Sequence, residues 1–68
     1  MVSLERMTET TNGFASAGVV YVDPEYVMLV EQALCHLAIS RVKFSDGSVV
    51  YVTGTPDEVA KKIKKGKS

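Results

Sequence analysis

The sequence predicts a small α+β domain, a twisted antiparallel sheet of three to four strands with a C-terminal helix. Three observations predict it. The run Val19-Val20-Tyr21-Val22 recurs thirty positions later as Val49-Val50-Tyr51-Val52, and valine and tyrosine suit a pleated, half-buried surface. Arg41-Val42-Lys43-Phe44 and the second run flank Ser45-Asp46-Gly47-Ser48, and Asp-Gly between apolar segments is a hairpin signal. Thr55-Pro56-Asp57-Glu58 is a helix start, with Thr55 as cap, Pro56 where its missing N–H costs nothing, and Glu58 completing a capping box.

In chain order, residues 1–17 are rich in Thr, Ser, Asn and Gly and are read as a flexible segment, with room for a short strand over residues 2–7. Residues 18–65 form the single domain, and residues 66–68 end a basic tail. The first strand occupies residues 18–22 and turns at Asp23-Pro24, because proline fixes its own φ and restricts the residue before it. Residues 26–38 stay open between two structures. Asp23 as N-cap, Pro24 at the first helical position and an early Glu25 would start a helix. Tyr26, Val30, Leu34 and Leu37 share a helical stripe, whereas Tyr26-Val27-Met28-Leu29-Val30 has strand composition.

With Asp46 and Gly47 as a two-residue turn, Phe44 opposes Val49 and Val42 opposes Tyr51. One face of the hairpin then carries Val42, Phe44, Val49 and Tyr51, which with Val59 and Ile63 make the expected core. The other face carries Arg41, Lys43, Val50 and Val52. Both valine-tyrosine runs are apolar at every position, so both sides of those strands want cover. Val20, Val22, Val50 and Val52 are therefore the expected contact between chains.

Size points the same way. The chain has 68 residues, of which about fifty are expected to be ordered, and domains that small bury little surface and commonly lean on disulfides, metals or oligomerisation. Cys35 is the single cysteine and His36 the single histidine. An intrachain disulfide is excluded and a zinc site within one chain lacks ligands, which leaves homo-oligomerisation. No apolar run is long enough to span a membrane and no secretory signal is recognisable, so a cytoplasmic setting without membrane association is expected.

Charge is balanced overall but segregated. Residues 1–60 hold three basic groups, Arg6, Arg41 and Lys43, against eight acids, while five lysines, Lys61, Lys62, Lys64, Lys65 and Lys67, end the chain. Arg41 and Lys43 with Lys61, Lys62, Lys64 and Lys65 are the candidate contacts to nucleic acid or a small anion. The plain alternative is that lysines in a last helical turn oppose the helix dipole. Cys35-His36 is the one pair with nucleophilic potential. Neighbours in sequence point apart, so adjacency makes no dyad. Asp57 and Glu58 are explained by capping, and the glycines form no phosphate loop. No catalytic residue, metal site or cofactor is expected.

The order of signals resembles the FlbD/SwrD family of small bacterial flagellar and swarming proteins. The likeness runs through Val22-Asp23-Pro24-Glu25, Val27, Val30 and Glu31, then Val42, Phe44, Asp46-Gly47 and Val50 to Val52, then Glu58-Val59 and Ile63. It covers about residues 18–64. The stretch between Glu31 and Ser45 is longer than the family's usual connection, and residues 1–17 lack a counterpart. The resemblance implies the strand, hairpin and helix order and a motility-associated role, and it supplies no catalytic residues. The expected function is that of a non-enzymatic bacterial or phage binding or regulatory protein, a homo-oligomeric interaction module for a protein partner. The alternatives are a nucleic-acid-binding regulator and a binder of small anions at an oligomer seam.

Overall fold

Among the described residues the sheet has five strands, and its two outermost are joined by four residues, Asp23 and a 3-10 turn. In the computed structural model, which describes residues 1–34 and 36–66, the elements run β1 (Val2–Thr10), β2 (Gly13–Val22), a 3-10 turn (Pro24–Tyr26), β3 (Val27–Ala33), β4 (His36–Phe44), β5 (Val49–Thr53) and α1 (Pro56–Gly66). The spatial order is β2-β1-β5-β4-β3, and every pairing is antiparallel. The α+β class and the C-terminal helix are as expected; the strand count exceeds the expected three to four.

The additional strands come from two segments. Residues 1–17, expected to be a flexible lead-in, supply β1 and the first half of β2, paired from Val2↔Val22 to Thr10↔Gly13. Polar side chains were no obstacle, because this hairpin puts Val2 and Leu4 toward the core and Ser3 and Glu5 away from it. The register slips once between Glu5 and Met7, where β2 carries an extra residue beside Gly18, a bulge that Gly18 accommodates at φ 86. Of residues 26–38, left open between helix and strand, Tyr26 ends the 3-10 turn, Val27–Ala33 is β3 and the stretch from His36 starts β4. The segment begins with the expected cap, Asp23 Oδ1 accepting the Glu25 N–H at 3.0 Å, but the helical turn stops after Tyr26.

The β4–β5 hairpin forms as expected, in a different register. The Phe44 N–H donates to the Ser48 carbonyl at 2.9 Å and the Gly47 N–H to the Phe44 carbonyl at 3.0 Å. The loop is therefore three residues, Ser45-Asp46-Gly47, with Gly47 at φ 92 taking the left-handed place that follows a type I turn. Val42 opposes Val50, Arg41 opposes Tyr51 and Ser40 opposes Val52. A one-residue slip moves every side chain of a strand to the other face. Val50 and Val52 thus face the helix, while Val49 and Tyr51 join Arg41 and Lys43 on the far side.

The core follows from that register. Leu4, Val22, Val42, Val52, Val59 and Ile63 are buried together, with Val2, Val20, Val27, Val30, Phe44 and Val50 packed around them. Of the expected core, Val42, Val59, Ile63 and Phe44 are in place; Val49 and Tyr51 are on the opposite face. Helix α1 covers this side through Val59 and Ile63, one turn apart. Thr55 Oγ1 accepts the Glu58 N–H at 3.3 Å and donates to Glu58 Oε1 at 3.1 Å. The link into the helix is pinned by buried Ser40, whose Oγ donates to the Gly54 carbonyl at 2.8 Å. The Gly54 N–H donates to the Ala38 carbonyl at 2.7 Å.

The sheet is strongly curled. On a flat sheet β2 and β3 would stand about 19 Å apart, four spacings of ~4.8 Å, and the registers put Val22 and Val27 at opposite ends of it. Fully extended, the chain from Val22 to Val27 reaches only about 17 Å. The connection closes because strand twist swings diagonal corners of a sheet toward each other. The other diagonal closes on the far face. There the β1–β2 and β3–β4 hairpin ends meet, with the Phe14 ring edge-on to His36 at 5.2 Å and 5.1 Å from Tyr51.

Candidate functional site

Three surfaces could engage a partner, and they follow from which side chains the two sheet faces leave outward. The first is the face away from the helix, together with strand β2 at its edge. Val19 and Tyr21 of β2 project there, 60% and 68% exposed, with Val49 and Leu29 also exposed on that face. Over its whole length, Gly13–Val22, β2 carries no charged side chain. The opposite edge, β3, differs. Its pairing with β4 is irregular at both ends, and it carries Glu31, ion-paired with Arg41. Unpaired edges invite pairing with another chain unless charge, proline or bulges blunt them. By that measure β3 is guarded by charge and irregularity, while β2 has only the Gly18 bulge.

The residues expected to touch a second chain lie elsewhere. Val22 and Val52 are 3% and 0% exposed within one chain, and Val20 and Val50 pack against the same core. This corrects the expected contact surface, and the cause is the hairpin register for β5 and the side of the sheet covered by α1 for β2. Val19 and Tyr21 were passed over because an unbroken apolar run does not say which of its alternate positions the helix covers. The signal was the run itself.

The second surface is basic. Lys61, Lys62, Lys64 and Lys65 line one groove along α1. Arg41 and Lys43 are on the other face of the sheet, so the two parts of the expected anion contact are not brought together. Arg41 is also engaged. Its guanidinium is held above its ordinary range first by the hydrogen bond to the Glu31 carboxylate, with Tyr51 adding to the effect.

The third surface is an open groove of about 540 Å³ between the 3-10 turn and the β4–β5 loop. Val20, Val22 and Phe44 supply apolar lining, and Tyr21, Tyr26, Asp23 and Asp46 supply polar groups. The Ser45 N–H, donating to the Tyr26 carbonyl at 2.8 Å, ties the two walls. Asp46 Oδ1 accepts from the Ser48 N–H at 2.8 Å and from its hydroxyl at 2.6 Å. These bonds, the hydroxyl's foremost, hold the carboxyl below its ordinary range. The cap and turn residues were legible in the sequence; that the two turns face one another was not.

His36 is exposed and edge-on to Phe14, while Cys35, its neighbour in sequence, is outside the described residues. Among the described residues, no three His, Cys, Asp or Glu side chains are grouped so as to hold a metal, and no helix is long and apolar enough to cross a membrane. Comparison of the chain with protein-family models, with curated proteins and with solved structures finds no match.

Proposed function

We propose that this chain is a non-enzymatic protein-interaction module that works as a homo-oligomer, in keeping with the motility-associated role its resemblance to FlbD/SwrD proteins implies. The observation that carries the reading is the uncharged edge strand β2, with Val19 and Tyr21 exposed beside unpaired backbone. A second copy laid antiparallel on β2 would satisfy those backbone groups without opposing like charges, and would cover apolar surface that so short a chain cannot cover itself. Light scattering across a dilution series tests it. A dimer or larger species that Val19→Lys and Tyr21→Lys convert to monomer supports the reading. A folded monomer at every concentration overturns it.

One observation favours a second reading. The lysine-lined groove on α1 suits a polyanion, which would make the chain a nucleic-acid-binding regulator contacting phosphates through Lys61, Lys62, Lys64 and Lys65. Retention on DNA or RNA that weakens steeply with salt and falls when these lysines are changed to Gln would support it; no retention at low salt would rule it out.

A further inference from the structure

We propose that the groove between the 3-10 turn and the β4–β5 loop binds the cationic side chain of a basic peptide, the guanidinium of arginine or the ammonium of lysine. The groove combines the three features that such a side chain needs. Val20 and Phe44, both only partly buried, offer apolar surface to an aliphatic stem, as arginine and lysine stems require. Tyr26, more than half exposed, lines it as well, and the face of a phenol ring attracts cations. Asp23 and Asp46 set two carboxylates on the same lining.

The state of those carboxylates is the second argument. Each uses Oδ1 for its own turn, Asp23 on the Glu25 N–H and Asp46 on Ser48, so each is fixed in place before any ligand arrives. Both carboxylates keep acceptor capacity beyond these Oδ1 bonds, and charge-assisted bonds to a guanidinium or ammonium are among the stronger ones. The Asp46–Ser48 bonds also keep Asp46 in its anionic form. The groove is open to solvent, which suits a side chain reaching in from a larger body.

The inference is independent of self-association, and its test separates the two. An acetylated, amidated Gly-Arg-Gly tripeptide is titrated into the ¹⁵N-labelled chain while the amide signals of Tyr26, Ser45 and Asp46 are followed. A lysine tripeptide, a citrulline tripeptide and free agmatine serve as further arms. Saturable shifts at those amides are expected with arginine and lysine, and none with citrulline, which keeps the shape and lacks the charge. Asp23→Asn with Asp46→Asn keeps both Oδ1 acceptors and is expected to weaken binding about tenfold, while Tyr26→Leu is expected to weaken it about threefold. The same spectra report whether each variant is folded; if the double variant is not, the single Asn variants take its place, each expected to weaken binding about threefold. Absence of shifts with both cationic peptides overturns the proposal, as does equal binding of citrulline. Agmatine binding as tightly as the peptide overturns its assignment to a peptide side chain. A chain that is monomeric yet binds the peptide removes the self-association reading and leaves this one standing.

Discussion

Ser40 shows how much one hydroxyl can carry in a chain this small. It is fully buried, and the bond from its hydroxyl to the Gly54 carbonyl fixes the link on which α1 is hung. Removing the hydroxyl leaves that carbonyl without its partner, so Ser40→Ala is expected to cost about 1–2 kcal/mol, read from the denaturant midpoint; an unchanged midpoint would show that water replaces the bond. Asp46 sets a pH dependence. Its folded pKa lies below the ordinary 3.8, so its contribution to stability is complete above that value and is lost as pH falls through the lower, folded one. Ser48→Ala should return the Asp46 pKa toward 3.8 in an NMR titration and narrow that acid-side loss. At this scale the sequence was partly legible. Asp23 and Thr55 announce themselves, because a capping side chain acts on backbone within three residues. Ser40 does not, because its partner is fourteen residues away and a serine in a strand reads equally well as surface.

The elements divide on the same principle of distance. The start of helix α1 was readable, and Thr55→Ala is expected to cost about 1 kcal/mol through the lost cap, measured by thermal or urea unfolding; a change below a few tenths would assign the cap's work to Glu58 alone. The β4–β5 hairpin was readable as a hairpin but not in its register, since Asp-Gly serves both a two-residue loop and a three-residue loop with glycine last. The second choice puts Val50 and Val52 inside, and the pattern of the strand could not decide it, because Val49 and Tyr51 are apolar too. Gly47→Ala, forced to hold φ 92, is expected to destabilise by about 1 kcal/mol, with hydrogen exchange rising first at Phe44 and Ser48. The β1–β2 hairpin did leave a signal, Asn12-Gly13 between Val2, Leu4 and Val20, Val22, which the surrounding Thr and Ser obscured. Helix packing ends as tightly as it begins, for a methyl added at Gly66 would fall 2.3 Å from Val2 Cγ2.

For the molecule as a whole, curvature decides which surfaces remain for partners, and curvature was not legible. It arises from twist summed over five strands and from a turn that must join opposite corners, and neither is a property of any short window. Its visible consequence is the meeting of Phe14, His36 and Tyr51 on the face away from the helix. Phe14→Ala should cost about 2 kcal/mol, less than a fully buried phenylalanine because this ring is only half-buried. That is a large part of the margin of a small domain, and it should expose Tyr51 to quenchers. A variant as stable as the parent would show that the two hairpin ends hold together without the ring.

Three of the four strand pairings join neighbours along the chain; the fourth, β1 to β5, rests on Arg6↔Val52 and Met7↔Tyr51 alone. This seam sets an order of events in time. Local hairpins close in microseconds, whereas a contact between distant parts of the chain must await the slower search that high contact order imposes. The molecule should therefore assemble as two separate sheets, β1–β2 and β3–β4–β5, which zip together last, and it should come apart along the same line. Met7→Ala is then expected to speed unfolding far more than it slows folding, a division that stopped-flow kinetics would read directly.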